Sequence, residues 1–343
     1  MKKQTSRKQI TQKKSKTLQN PSEIKQIDKF LNKIICGDAL EVLKTIPSES
    51  IDAVVTSPPY WALRDYEVRG QIGLENNLDD YLMKLILVFD EVKRVLKPTG
   101  TCFVNFGDTY ASSSKGGQQN NVQGNIFDAL TKTSVIPKLK TNLKIPDKSL
   151  CLIPERFALL MIERGWILRN EIIWHKSNAM PSSVKDRFTV DFEKIFFFVK
   201  SKRYYFKQQF EPVRNPAELK RRYSNPFDQH LYWNKTRKAT KSLEAIKKSQ
   251  QKLLKQGRNK RCVWTVATAA SRKYQKNHFA VFPEKLIETP IKAGCRTGGV
   301  VLDPFMGSGT TAIVAKKLKR NFIGIELNRK YVKLARNRLE TIK

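Results

Sequence analysis

Histidine and cysteine are scarce in this chain of 343 residues, with three of the first and five of the second. Cys36, Cys102, Cys151, Cys262 and Cys295 are scattered and odd in number, without the paired short spacings that hold zinc. That pattern argues against a structural metal and a disulfide framework, and it suits a reducing cytosol. Long apolar runs are missing as well: Lys194 to Val199 is far shorter than a bilayer crossing needs. Met1-Lys2-Lys3 resembles the charged head of a signal peptide, but no apolar stretch follows, so secretion is not expected. The largest deficit is in negative charge, with 31 acidic residues against 65 Lys and Arg and a formal net charge of +34. Such an excess speaks for a polyanionic partner, through counterion release and long-range attraction, and says nothing about fold. A cationic membrane-surface protein can carry the same number, so distribution matters.

Two segments hold much of the excess. Residues 1–30 carry nine Lys/Arg against two acids with almost no apolar periodicity, and read as a disordered basic arm. Residues 201–260 carry 17 against four, interleaved with Tyr204, Tyr205, Phe206, Phe210, Tyr223, Phe227, Tyr232 and Trp233. A solvated helical face accounts for part of this, because Leu243, Ile246, Leu253 and Leu254 can form one apolar side of a helix over Lys241 to Lys255. The 40% hydrophobic content is enough for one large α/β core and a smaller attachment.

What the chain does possess is punctuation at strand ends. Ile51 to Val55 reads as a short buried strand that must stop at Pro58-Pro59, since neither proline can donate a backbone hydrogen bond. The residue before each proline is pushed out of the α region, so Ser57 and Pro58 enter a stiff extended turn that fixes a hydroxyl, carbonyls and the Tyr60 ring at the strand's carboxyl end. In open α/β sheets ligands bind at that edge. Far downstream, the strand Val300 to Leu302 runs into Asp303-Pro304-Phe305-Met306-Gly307-Ser308-Gly309-Thr310-Thr311 and a helical pattern over Ala312 to Leu318. Glycines 307 and 309 permit a tight turn and the close approach of a ligand to the backbone.

The turn discriminates among cofactors. A phosphate-binding loop needs a Gly-Lys-Ser/Thr ending, which is missing, and a dinucleotide fingerprint needs a third glycine where Ala312 stands. Asp303 would repel a pyrophosphate but suits an ammonium group. The next strand, Asn321 to Ile325, ends at Glu326, a carboxylate placed to accept from ribose hydroxyls. An amino-acid group joined to a nucleoside fits both, and S-adenosylmethionine is the candidate.

With these residues in place, the chain resembles the amino-group DNA methyltransferases, which modify an exocyclic nitrogen of cytosine or adenine, in their permuted β arrangement. In that family a (Ser/Asp/Asn)-Pro-Pro-(Tyr/Phe) motif precedes a Phe-x-Gly-x-Gly motif, as Ser57-Pro58-Pro59-Tyr60 precedes Phe305-Met306-Gly307-Ser308-Gly309 here. The chain is similar again at Gly37-Asp38, Ile172 to Lys176, Cys262 to Thr265 and His278 to Leu286, so matching pieces run through most of residues 33 to 340. The resemblance implies a Rossmann-like, S-adenosylmethionine-dependent methyltransferase fold of class α/β, circularly permuted. Its mostly parallel seven-stranded sheet has helices on both faces and an inserted basic target-recognition region. The implied boundaries are the arm at 1–30, a catalytic half at 31–200 with a polar loop at 111–148, the insert at 201–260 and a cofactor half at 261–343.

The same resemblance implies direct in-line methyl transfer from S-adenosylmethionine to N4 of a flipped-out cytosine in double-stranded DNA. A cognate restriction endonuclease is a partner the family can have; a monomer or homodimer, no membrane and a cytoplasmic, nucleoid-associated place are further expectations. Ser57 and the Pro58 carbonyl would hold the amino group within the catalytic turn Ser57-Pro58-Pro59-Tyr60, and Tyr60 would stack on the base. Cofactor contacts fall to Asp303, Phe305, Gly307, Ser308, Gly309 and Thr310 on the methionine side, with Thr56 counted beside them, to Glu326 on ribose, and to Asp38 and Phe282 near adenine. Asp38 as a helix cap and Phe282 as core stay open, as does Trp61 in the base pocket. Serine at the first motif position leans toward cytosine, with adenine N6 as the alternative. Ring-carbon methylation needs a Pro-Cys nucleophile, and no cysteine here follows a proline. An RNA or protein-glutamine methyltransferase fits the motif order less well. A catalytically silent DNA-binding protein would tolerate loss of Ser57, Asp303 or Gly307, and all three are present.

Overall fold

The computed structural model describes residues 26–63, 65–111, 145–213, 215–217, 243–269 and 283–342. Phe282, most of the expected 111–148 loop, most of the arm and a large part of the basic insert lie outside these residues. Strands β1 (Lys33–Cys36), β2 (Ile51–Thr56), β3 (Leu96–Phe106), β4 (Ile167–His175), β5 (Phe192–Val199), β8 (Val263–Thr265), β9 (Val300–Asp303) and β10 (Asn321–Glu326) build one sheet. Two short strands, β6 (Phe210–Glu211) and β7 (Arg258–Asn259), form a separate antiparallel ladder, with Phe210 opposite Asn259 and Glu211 opposite Arg258.

The order in the large sheet is β1-β10-β9-β2-β3-β5-β4-β8. Every pairing is parallel except those of β5, which runs antiparallel to both β3 and β4. Strands from both ends of the chain interleave, so β2 lies directly against β9, with Ala53 opposite Val301 and Val54 opposite Leu302. The sheet has eight strands where seven were expected. The extra one is the three-residue edge strand β8, anchored because Trp264 buries its ring and donates its indole N–H to the Arg261 carbonyl at 2.6 Å. A segment so short carries no readable alternation.

Two cores cover the two faces. Along β2, Val54 packs with helices α1 (Ala39–Thr45), α2 (Leu78–Val95) and α3 (Ile153–Glu163), whereas Ala53 and Val55 pack on the other side. That second face is covered by α5 (Glu284–Gly294), α6 (Thr310–Lys317) and α7 (Arg329–Glu340), while α4 (Leu243–Gln256) falls between β6 and β7 in the chain. Alternation at period two thus sends successive residues of one strand into different cores. Helix α2 begins where Asn77 Oδ1 accepts from the Asp80 amide at 2.8 Å, and its apolar stripe of Tyr81, Leu85, Phe89 and Val92 is fully buried. The helix runs directly into β3. Leu96 already pairs with Ile51 and the ladder resumes only at Thr101 opposite Ala53, so Lys97-Pro98-Thr99-Gly100 bulges out of β3 instead of separating helix from strand.

Candidate active site

Adjacent strands β2 and β9 end side by side, and their following turns open into one cavity of about 630 Å³. That volume lies within the range of small-molecule sites. Ser57, Pro58, Pro59 and Tyr60 line it from β2, and Phe305, Gly307, Ser308 and Thr310 from β9 and the start of α6. Asp38 and Glu326 line it as well, at the ends of β1 and β10.

The floor is knit by Asp303, which is 1% exposed and is not among the lining residues. Thr56 Oγ1 donates to Asp303 Oδ1 at 2.6 Å across 247 residues of sequence, Thr311 Oγ1 donates to Oδ2 at 2.7 Å, and the Phe305 amide donates to Oδ1 at 3.0 Å. Burial pushes the Asp303 carboxyl up to about 6, against the pull of those donors. The carboxylate and Thr56 therefore join the two turns beneath the cavity. Gly309 is not among the lining residues either; its φ is +86°, and an added Cβ would stand 2.8 Å from that of Ala335. This glycine lets α6 start close against α7.

On the cofactor side, Glu326 accepts the Gly307 amide on Oε2 and the Asn328 amide on Oε1, both at 2.8 Å. Burial raises its carboxyl, offset by those two amides. Asp38 caps α1, the alternative its sequence left open, by accepting from the Glu41 amide at 3.1 Å, and it also lines the cavity. Thr310 Oγ1 is buried without a hydrogen-bond partner among the described residues, a polar atom left over at the cavity wall.

The Pro-Pro turn is clamped from behind. Tyr81 donates its hydroxyl to the Pro59 carbonyl at 2.7 Å, tying the turn to α2. Tyr60 stacks on Phe106 at 6.3 Å and 15°, and a Cβ at Gly107 would touch its ring at 2.7 Å. Its hydroxyl accepts from Ser57 Oγ at 3.3 Å and from Asn105 Nδ2 at 2.9 Å, and donates to Glu193 Oε2 at 2.8 Å. Burial, then the Glu193 charge, raises the phenol well above its ordinary value, so it stays protonated at neutral pH. Asn105 Nδ2 also reaches Glu193 Oε2 at 2.6 Å, and Lys176 Nζ reaches Glu193 Oε1 at 2.7 Å. Trp61 packs into the core and donates to the Glu75 carbonyl at 2.9 Å, away from the lining.

Asn105, Trp174, Lys176 and Glu193 all line the cavity, and none had been singled out as a site residue. Their signal was present: Asn105 is a lone polar residue inside the apolar strand Cys102–Phe106, and Glu193 precedes the buried run Ile195 to Val199.

Residues 51–337 match the model of a DNA methylase family that groups N6 and N4 methyltransferases. Among curated relatives, the Type II methyltransferase M.Cfr9I of Citrobacter freundii is 40% identical over 304 residues, covering 89% of this chain and 86% of that one. The Type II methyltransferase M.SmaI of Serratia marcescens is 39% identical, covering 90% of each. Two solved structures share the fold. PvuII DNA methyltransferase (cytosine-N4-specific) superposes with a TM-score of 0.57 at 20% identity, over 91% of this chain and 90% of that one. TTHA0409 from Thermus thermophilus, solved with S-adenosyl-L-methionine, superposes with a TM-score of 0.53 at 24% identity, over 90% of this chain and 92% of that one. With the family match extending over most of the sheet and both cavity-forming turns, this chain belongs to the N6/N4 DNA methylase family.

Proposed function

We propose that the protein transfers a methyl group to the exocyclic N4 of cytosine in double-stranded DNA. The observation that carries this reading is the convergence of Ser57-Pro58-Pro59-Tyr60 and Phe305 to Thr310 on one cavity, from positions far apart in the chain. S-adenosylmethionine fits the groups around it. Glu326 retains lone pairs for ribose hydroxyls beyond the two amides it accepts, the first turn of α6 presents N–H groups toward a carboxylate, and the unpartnered Thr310 hydroxyl supplies one more polar contact. Asp303 favours the ammonium by its charge from just below. Phe305 and Asp38 complete the wall, and Phe282 is assigned to the adenine side by its motif alone. When bound, the cofactor supplies an electrophilic methyl group.

The chain's own residues prepare the nucleophile. An exocyclic amine is a poor one, because its lone pair is delocalised into the ring. Ser57 Oγ and the Pro58 carbonyl accept its hydrogens and weaken that conjugation, while Pro58 and Pro59 keep both acceptors fixed. Tyr60 gives the base a flat surface. The base leaves the duplex to reach them, since a stacked and paired amine cannot enter the cavity. The basic segment 201–260 positions DNA phosphates, with the β6–β7 ladder as its base. Serine at position 57 supports cytosine over adenine.

The test is incubation of the purified protein with labelled S-adenosylmethionine and duplex DNA, followed by mass spectrometry of the nucleosides. N4-methylcytosine is expected; N6-methyladenine alone would reverse the base assignment, and label on RNA or protein but never on DNA would overturn the reading. Ser57→Ala should abolish turnover while retaining cofactor affinity.

A further inference from the structure

The two most exposed large apolar side chains among the described residues stand in one connection: Phe188 is 95% exposed and Met180 is 87% exposed. Residues 176–191 link the end of β4 to the start of β5, and β4 runs parallel to β2 through the order β2-β3-β5-β4. The connection therefore leaves the sheet at the edge where the cavity opens, and Asn178, Ala179, Met180 and Val190 line that cavity. Met180 both lines it and faces solvent, which puts this side chain at the mouth. Phe188 lies two residues before Val190, so its Cα is within about 7 Å of the same rim.

The segment is exposed at every residue from Met180 to Val190, yet it is held at several points. The Lys176 amide donates to the Asp191 carbonyl at 2.7 Å and closes the base. Asn178 Oδ1 accepts from the Thr268 amide at 2.7 Å and from its hydroxyl at 3.1 Å. On the other limb Lys148 Nζ reaches Asp186 Oδ2 at 3.0 Å, and the Arg187 guanidinium lies over the Tyr110 ring, 3.5 Å from its centroid. These anchors keep the neighbouring phenylalanine from folding back onto the protein. An apolar residue scattered on a surface needs no explanation. A phenyl ring held out in solvent beside the mouth of a site forgoes the gain of burial where a substrate arrives.

Two apolar side chains set among Ser182, Ser183, Lys185 and Arg187 are too little for a protein interface, which covers about 800 Å² on each partner. They match an apolar wedge that enters between base steps from positively charged surroundings. Asp186 is answered by Lys148, so Lys185 and Arg187 give this tip the charge that phosphates attract. A base that leaves the duplex gives up its stacking on both neighbours and opens a gap one ring thick. We propose that Phe188 enters that gap and takes the place of the departed base, with Met180 at the mouth through which the base passes. The inference rests on the reading that the target base leaves the duplex. A flat ring stacks on the flanking pairs whatever their sequence, and an exposed one breaks no internal packing when it inserts.

Phe188→Ala is the informative substitution, and so exposed a ring has little packing to lose; cofactor affinity and urea unfolding verify that the variant is folded. Single-turnover methylation would be measured on two duplexes sharing one mapped modified position. The base there is paired normally in the first and placed as a single-nucleotide bulge in the second. A bulged base already stands outside the stack while its flanking pairs close on each other, so no gap needs filling. Phe188→Ala should lose about tenfold to a hundredfold on the paired duplex and less than about threefold on the bulge. Phe188→Trp, which keeps a flat ring, should restore the paired rate to within about threefold of the native one. An undiminished rate on the paired duplex overturns the proposal, as does an equal loss on both, which would make Phe188 a general DNA contact. A native protein that binds the bulge no more tightly than the pair contradicts base flipping itself. Tighter binding of the bulge with an unimpaired Phe188→Ala overturns the insertion alone, so the two readings fail separately.

Discussion

Gly107→Ala isolates the contribution of Tyr60 placement to catalysis. Gly107 follows the last residue of β3 and does not have the positive φ that favours glycine, so the substitution adds bulk without backbone strain. The new Cβ would stand 2.7 Å from Tyr60 Cε2, 3.2 Å from Cδ2 and 3.4 Å from Cζ. Restoring ordinary contact requires the ring to retreat by about 0.7 Å at its nearest atom. It is not free to do so, because its hydroxyl is held by Ser57, Asn105 and Glu193, and Phe106 lies stacked alongside. Overpacking of this kind costs about 1–3 kcal/mol of stability. A displacement approaching 1 Å at a reacting site lowers turnover roughly tenfold to a hundredfold. Urea unfolding measures the first effect and single-turnover methyl transfer the second, with cofactor affinity unchanged because Phe305 to Thr310 hang from β9 and α6. In a Tyr60→Ala background the clash has no partner, so the added stability loss from Gly107→Ala should fall below about 0.5 kcal/mol. Equal losses in both backgrounds, or undiminished turnover in Gly107→Ala, would refute the reasoning.

Three further outcomes follow from other parts of the structure. Asp303, raised to about 6 by burial, binds its proton more tightly folded than unfolded, so its contribution to stability is greatest at low pH and is lost as pH rises from about 4 to about 6. The loss is on the order of 3 kcal/mol, and urea titrations across that window should show a flatter profile in Asp303→Asn. Asn77→Ala removes the cap of α2 and should lower stability by about 1 kcal/mol in the same assay, with cofactor affinity unaltered. DNA affinity should fall steeply with salt, and a double-logarithmic plot with a slope near zero would contradict phosphate contact by the basic segments.

Legibility in the sequence followed the physics of each feature. Period-two and period-3.6 patterns are local, so β2, β9, β10 and α6 could be read directly, and the prolines and glycines marked where strands end. Edge strand β8 could not be read, since three residues hold no period and Trp264 gains its burial only from the sheet beside it. The bulge at Lys97 to Gly100 escaped for a related reason: Pro98 and Gly100 look like a terminator, and only the pairing of Leu96 with Ile51 shows that the strand has already begun. The motifs named the cavity wall but not its polar wiring. Tyr60 and Glu193 lie 133 residues apart and meet only because antiparallel β5 is inserted next to β3, with Lys176 brought in from the end of β4. A carboxylate near the start of an apolar strand and an asparagine inside another are each commonplace alone. Their pairing changes the meaning of both, since a residue that could present either end of its amide is restricted to one. The wiring of the cavity is therefore divided between a turn that sequence reveals, Ser57 to Tyr60, and a cross-strand contact that only the fold creates. Substitutions at Asn105, Glu193 or Lys176 should accordingly loosen the hold on the Tyr60 hydroxyl while leaving the motif itself intact.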